Sequence, residues 1–238
     1  MPSFLFIRHL GIGMSTDELV RKLNELSIEN SEKEFKEGIL PGSVETQGDI
    51  VTCKFGFEYE LEYETLQGVK RDKALQKIPI HFLRQNFVAF GYGTSDIQEK
   101  VLDFLSKIIK DCVLTPLRLK ENTLRKILDK ARDVRQFDLT PVRRGLERVD
   151  RLKCIGREIT DTELWEDYGS EPLAKIKVNL EGIEEATVSF DKRGVITIHQ
   201  RRFSDTQHAV ILNYVAEMIL APYVGKDLQK KLIGDETW

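Results

Sequence analysis

"IPIHFLRQNFVAFGYGTSDIQEKVLDFLSKII" (78–109) reads as a strand, a turn, a second strand, a brief loop and an amphipathic helix. The same succession returns in "ATVSFDKRGVITIHQRRFSDTQHAVILNYVAEMI" (186–219). Phe82 falls on Phe190, Phe87 on Val195, Val88 on Ile196 and Phe90 on Ile198; one extra loop residue then places Ser95 on Ser204. Gln85-Asn86 and Arg193-Gly194 put Asn or Gly where a tight hairpin wants positive φ. "SDIQ" and "SDTQ" both read as capping boxes, serine as N-cap and glutamine at N3, with an aspartate suited to the helix dipole. Apolar stripes follow, Ile97, Val101, Phe104, Leu105 and Ile108 in one helix and Val210, Ile211, Tyr214, Val215 and Met218 in the other. So many matches in order are the mark of an internal repeat.

The front halves agree more loosely. "SFLFIRH" (3–9) reads as a strand before the helix "STDELVRKLNEL" (15–26), which has its own Ser15/Glu18 capping box. Near the midpoint "CVLTPLRL" (112–119) precedes "ENTLRKILDKAR" (121–132). The expected fold is α+β: two pseudo-symmetric strand–helix–strands–helix repeats forming a continuous antiparallel sheet with helices on one face. The first repeat spans 1–111 and the second 112–224, with a helical or irregular insertion about 141–173; residues 225–238 form a C-terminal tail. Such a duplicated unit resembles the TATA-box-binding-protein fold. The detailed match is "FLRQNFVAFGYGTSDIQEKVLDFLSKI" and "FDKRGVITIHQRRFSDTQHAVILNYV". The resemblance is one of fold and implies nucleic-acid binding; the paired strand phenylalanines that kink DNA in that family are not evident. The competing architecture is the tandem ferredoxin-like pair of CRISPR RNA endonucleases, which would imply a metal-independent ribonuclease.

Bulk composition narrows the classes. The chain has 238 residues, 41% hydrophobic and 32% charged, as a globular protein with a real core requires. No apolar run approaches the roughly 20 residues that cross a bilayer, so no membrane partner is expected. "MPSFLFIRHLGIG" lacks a basic n-region and reads as a first strand rather than a signal peptide. Cys53, Cys112 and Cys154 are widely spaced and odd in number, which points to a reducing cytoplasm rather than a disulfide or zinc framework. Net charge is −3, yet Arg118–Arg157 holds thirteen Lys/Arg against six Asp/Glu, near +7, leaving the rest near −10. That asymmetry bears on partners, not on fold.

With helices on one face, residues pointing the other way become binding candidates. If Ile196 and Ile198 face the core, then Thr197, His199 and Arg201 face outward, with Lys192 and Arg193 at the turn. Hydroxyl, imidazole and guanidinium groups suit phosphate and base edges. An outward Phe87 in the first repeat would stack on or wedge between bases. In "PVRRGLERVDRLK" (141–153), Arg143, Arg144, Arg148 and Arg151 recur at helical spacing after Pro141, suited to a helix start. Such a face would bind DNA or RNA phosphate with a steep salt dependence.

"FGFEYELEYE" (55–64) alternates Phe55, Phe57, Tyr59, Leu61 and Tyr63 with Gly56, Glu58, Glu60, Glu62 and Glu64. Its aromatic side is expected to pack on helices. Its four carboxylates, roughly 7 Å apart along one face, would repel phosphate and suit a basic protein partner or self-association. A straight ladder spreads its oxygens too far apart for a divalent cation.

No catalytic constellation stands out. His9, His81, His199 and His208 share no metal-ligand spacing, and no HExxH, CxxC or G-x-S-x-G occurs. "GIGMSTDE" and "GYGTSD" carry two glycines each and read as helix starts rather than phosphate loops. No cofactor or metal is expected. His9, after the first strand, is where a ribonuclease would place a general acid.

Overall fold

A computed structural model describes residues 2–8, 14–109, 115–142, 145–146, 148–183, 186–200 and 203–222. In chain order the elements are β1 (Ser3–Arg8), α1 (Thr16–Glu25), β2 (Glu37–Ile39), β3 (Glu45–Gln47), β4 (Ile50–Thr65), β5 (Gly68–Leu83), β6 (Phe87–Gly91) and α2 (Ser95–Ile108). There follow β7 (Thr115–Pro116), α3 (Glu121–Leu128), β8 (Ala131–Leu139), β9 (Leu152–Ile155), α4 (Glu163–Tyr168), β10 (Leu173–Leu180), β11 (Thr187–Asp191), β12 (Val195–Ile198) and α5 (Asp205–Tyr214). The protein is therefore α+β, with antiparallel sheet throughout the named pairings. Two compact units divide the chain: residues 7–115, and residues 1–6 with 116–238. The start of β1 thus belongs with the C-terminal half, because Ser3, Phe4 and Leu5 pair with Thr197, Ile196 and Val195.

In the unit of residues 7–115 the strand order is β2-β4-β5-β6, with β3 also on β4. Val51, Cys53, Phe55, Ile78, Ile80, Phe82, Val88 and Phe90 are buried. Phe55 meets Phe104 of α2 with ring centroids 4.5 Å apart, and Val101, Leu105 and Ile108 of the expected stripe are buried with it, while Ile97 is half-buried. Gln85 and Asn86 take φ of 59° and 62°, as the β5–β6 turn demands. The α2 cap sits one residue early: Thr94 is the N-cap, and Gln98 donates to the Gly93 carbonyl at 2.8 Å instead of closing a box on Ser95. Ser15 does cap α1, accepting from the Glu18 N–H at 3.2 Å.

In the other unit the order is β1-β12-β11-β10-β8-β9. One transverse row, Phe4–Ile196–Phe190–Ile176–Phe137–Cys154, is buried from end to end. Helices cover this row: Phe4 stacks near His208 of α5 at 5.8 Å and Phe137 meets Trp165 of α4 at 5.0 Å. The Ser204/Gln207 capping box forms in both directions, at 3.2 and 2.8 Å. Beyond α5, Val215–Leu220 continue as a π-helix, and the buried set becomes His208, Ala209, Ile211, Leu212, Asn213, Val215, Ala216, Ile219 and Leu220. Val210 and Met218, expected in the stripe, are exposed. Wider π turns shift Met218 off a 3.6-residue period, whereas Val210 precedes them and lies on the outer face of α5.

The stretch after Pro141 is not a helix in its described residues. Gly145 takes φ of 95°, and Gly145 and Arg148 lie in turns. Buried Glu171 anchors this segment, accepting from the Val142 N–H at 2.7 Å, while Arg125 donates to the Gly169 and Glu171 carbonyls at 2.7 and 3.0 Å.

The β11–β12 turn tolerates no side chain at Gly194. Its φ is 79°, and a Cβ there would lie 1.9 Å from the Leu117 carbonyl oxygen. Gly42 has φ of 68° with open space around it. Gly42→Ala should cost about 1 kcal/mol from conformation alone, whereas Gly194→Ala should cost more than roughly 3 kcal/mol through backbone displacement. Urea denaturation distinguishes them, and equal midpoint shifts would refute the close contact.

Candidate nucleic-acid interface

The β10 sequence "LAKIKVNL" (173–180) sets Ile176, Val178 and Leu180 in the core and Lys175, Lys177 and Asn179 on the opposite face. Ladder registers extend this face across the sheet. Ser3, Thr197, Ser189, Lys177, Gln136 and Ile155 form one row, directly behind the buried aromatic row. Alternation of side chains is the whole reason.

Polar contacts fix the row. Ser3 and Thr197 hydroxyls lie 2.8 Å apart. Ser189 Oγ lies 2.6 Å from His199 Nε2. Burial, then the charges of Lys177 and Lys175, push the His199 pKa down to about 4, so its imidazole is neutral at pH 7. Ser189 is only 1% exposed beneath it.

Cations gather along the next row. Burial lowers the Lys175 pKa; Asp191 opposes that, while Arg151, Lys153 and Arg193 lower it further. Two carboxylates temper the cluster. Asp138 is fully buried, accepting from Gln136 at 2.8 Å and paired with Arg151. Asp191 holds Arg193 at 3.0 Å, and although burial opposes this, Arg193 and Lys175 keep its pKa below the usual range. Arg193 remains 70% exposed.

Of the residues singled out in the sequence, Thr197, His199, Arg193 and Arg151 therefore share this neighbourhood. Lys192 belongs to the β11–β12 turn and accepts from the Leu119 N–H at 2.9 Å through its carbonyl. Arg148 is exposed, but no helical face joins it to Arg151, because the chain there is turned rather than helical. Arg143, Arg144 and Arg201 lie outside the described residues. Phe87 corrects an expectation: it is 0% exposed, so it is core and not a stacking platform. Its strand does alternate as expected, but its second face is also covered. Lys175, Lys177 and Lys153 were missed; the strict alternation of "LAKIKVNL" was the signal for the first two.

The glutamates occupy different ground. β4 and β5 pair from Val51–Phe82 to Thr65–Gly68, and beyond Phe57 the hairpin becomes a two-stranded arm. Tyr59, Leu61 and Tyr63 are 39%, 43% and 39% exposed, so the aromatic side packs on helices only at Phe55 and Phe57. Glu60, Glu62 and Glu64 are exposed, and Glu58 is half-buried. Arg71 crosses to Glu62 at 2.9 Å and Glu60 at 3.3 Å, and Glu58 accepts from the Lys36 N–H at 3.0 Å. Lys73 reaches the Glu34 carbonyl at 2.8 Å and lies over the Phe35 ring.

A cleft of about 320 Å³ near the end of α1 is lined by Ser27, Asn30, Glu37, Phe104 and Lys107, among others, and its Glu37 is already held by Lys33 at 2.5 Å and Lys107 at 3.4 Å. Among the described residues, no group of three or more His, Cys, Asp or Glu could hold a metal ion, and no helix is long and apolar enough to cross a membrane. Cys53 and Cys154 are buried free thiols, and burial raises both pKa values. No protein-family model matches the chain, and no curated protein matches it significantly.

The depressed His199 pKa has a definite consequence. Between about pH 6.5 and about 4 the unfolded chain takes up a proton that folded His199 refuses, so stability falls as pH drops through that window. His199→Gln lacks this component. Urea midpoints at pH 7 and pH 4.5 should fall further for the wild type than for the variant; equal falls would discount the desolvated imidazole.

Proposed function

We propose that this protein is a non-catalytic nucleic-acid-binding protein that takes DNA or RNA phosphate on the β10–β12 face of its C-terminal half. The observation that carries this is the gathering of Lys175, Arg151, Lys153 and Arg193 beside a row of hydroxyl and amide groups on the sheet face opposite the buried row. Cations position a phosphate backbone, and short polar side chains add contacts to sugar or bases. Neutral His199 contributes hydrogen bonding rather than charge at pH 7.

A TATA-box-binding-protein-like duplication underlies this reading. Its support is hairpin register: Phe82 pairs with Val88 as Phe190 pairs with Ile196, and Ile80 with Phe90 as Val188 with Ile198. In that correspondence His81 and Ala89 stand where Ser189 and Thr197 stand. His81 and Ala89 are both buried, whereas Thr197 is partly accessible, so the two hairpins would present unlike surfaces. A second reading, protein interaction through Glu58, Glu60, Glu62 and Glu64, is favoured by the exposed arm that carries them.

Fluorescence anisotropy with labelled single-stranded and duplex oligonucleotides at 50–300 mM salt (about the range in which phosphate contacts dominate) tests the main reading. Lys175→Ala with Lys177→Ala should weaken binding and flatten the log–log salt slope by about one unit per lysine. Arg71→Ala, on the arm, should change neither. No binding of any oligonucleotide at the lowest salt sinks the reading.

A further inference from the structure

The arm has two edges of opposite chemistry. The Lys54 carbonyl accepts from Leu40, and the Glu58 N–H donates to Lys36, so even-numbered residues of β4 direct their backbone away from β5. By the same alternation the N–H and C=O groups of Glu60, Glu62 and Glu64 point to the edge beyond β2, which no strand of the described residues pairs. The residues that offer backbone pairing at this edge are therefore the residues that carry the carboxylates. On the other side of the arm, Val69, Arg71, Lys73, Leu75 and Lys77 hold the equivalent outward positions on β5.

An exposed strand edge flanked by apolar side chains is a template for another strand. The charges say which. A second arm added antiparallel to the same edge would set Glu60, Glu62 and Glu64 against their own copies, a like-charge opposition that destabilises each pair. A second arm added in the same orientation would match acidic β4 to basic β5. However, it would bring units of roughly a hundred residues, about 30 Å across, to within about 10 Å of each other, two strand spacings. Neither arrangement of a second copy fits. Over residues 58–75 the arm carries five carboxylates against three cations, and Arg71 and Lys73 fold inward onto Glu60, Glu62 and the Glu34 carbonyl.

We infer that the open edge of β4 at Glu60–Glu64 binds an extended basic peptide segment by strand addition, with Lys or Arg alternating with apolar residues. This rests on the protein-interaction reading of the glutamate face and is independent of nucleic-acid binding. Each Lys or Arg lies opposite a glutamate in a hydrogen-bonded pair and on the same face. The apolar residues between them lie beside Tyr59, Leu61 and Tyr63 on the other face, covering side chains that are now about 40% exposed. Main-chain bonds supply affinity and the alternation supplies specificity.

The test uses the full chain and a labelled alternating Lys–Val octapeptide, read by anisotropy. Glu60→Gln/Glu62→Gln/Glu64→Gln should weaken binding at least tenfold, with the circular dichroism spectrum unchanged because these side chains are solvent-facing. Lys175→Ala/Lys177→Ala should bind the peptide as the wild type does. Methylating the peptide's lysine backbone nitrogens, which face β4, should abolish binding; methylating the valine nitrogens, which face away, should not. Binding of a same-composition block peptide or of polylysine, indifferent to methylation, would overturn strand addition while leaving an acidic protein-binding face in place. Binding of none of these basic peptides overturns both. A concentration-dependent dimer in sedimentation, lost on Leu61→Glu, would name a second copy as the occupant and overturn the proposal.

Discussion

Side chains on a paired strand alternate between two faces, so one fixed register commits every residue of a hairpin at once. The C-terminal unit depends on this constraint. Pairing Phe190 with Ile196 and Ile176 builds the buried row that α4 and α5 cover. The same pairing leaves Ser189, Thr197 and Lys177 no choice but the opposite face. A slip of one residue would bury two lysines and expose the aromatics. The core and the polar face are thus one decision, and the free energy that holds the first also aligns the second.

Legibility in the sequence followed the same line. Alternation told which residues share a face: Ile196 and Ile198 inward, Thr197 and His199 outward, and the four glutamates together. It could not tell whether a face has a cover. Phe87 lies on the face expected to be open and is buried; Tyr59, Leu61 and Tyr63 lie on the face expected to be packed and are exposed. Cover comes from elements distant in sequence, and a 16-residue hairpin strand outruns what α2 can shield. The helical reading of the arginine segment meets a local obstacle in its described residues. Helical spacing of Arg148 and Arg151 is necessary for a helical stripe but does not make one: Gly145 takes φ of 95°, and neither arginine lies in a helix. Capping was legible at Ser204 and Ser15; at α2 the N-cap position falls one residue earlier, on Thr94, whose side chain makes no capping hydrogen bond.

Electrostatics separates the two candidate surfaces by more than sign. On the β10–β12 face the carboxylates of Asp138 and Asp191 are sequestered by Arg151 and Arg193, so each arginine is held in place while part of its guanidinium remains accessible. Preorganised cations lose less freedom on binding than free side chains do. On the arm the relation is inverted: Arg71 is shared between Glu60 and Glu62, both exposed, and exposed pairs of this kind contribute little. The arm's charges are consequently available for exchange with a partner's, at small cost.

The Ser189–His199 contact bears on whether this face could also do chemistry. A neutral imidazole 2.6 Å from a hydroxyl has the spacing of an activated nucleophile. A nucleophile must also reach its electrophile, and Ser189 is 1% exposed beneath the imidazole itself. The ring nitrogen facing Ser189 is thereby occupied, and the imidazole plane is fixed on the sheet. What the contact achieves physically is orientation: it holds an uncharged ring beside Lys175 and Lys177 without adding a third repelling cation. A buried hydroxyl already bonded to a neutral ring fits a structural hydrogen bond of the sheet better than it fits an activated nucleophile.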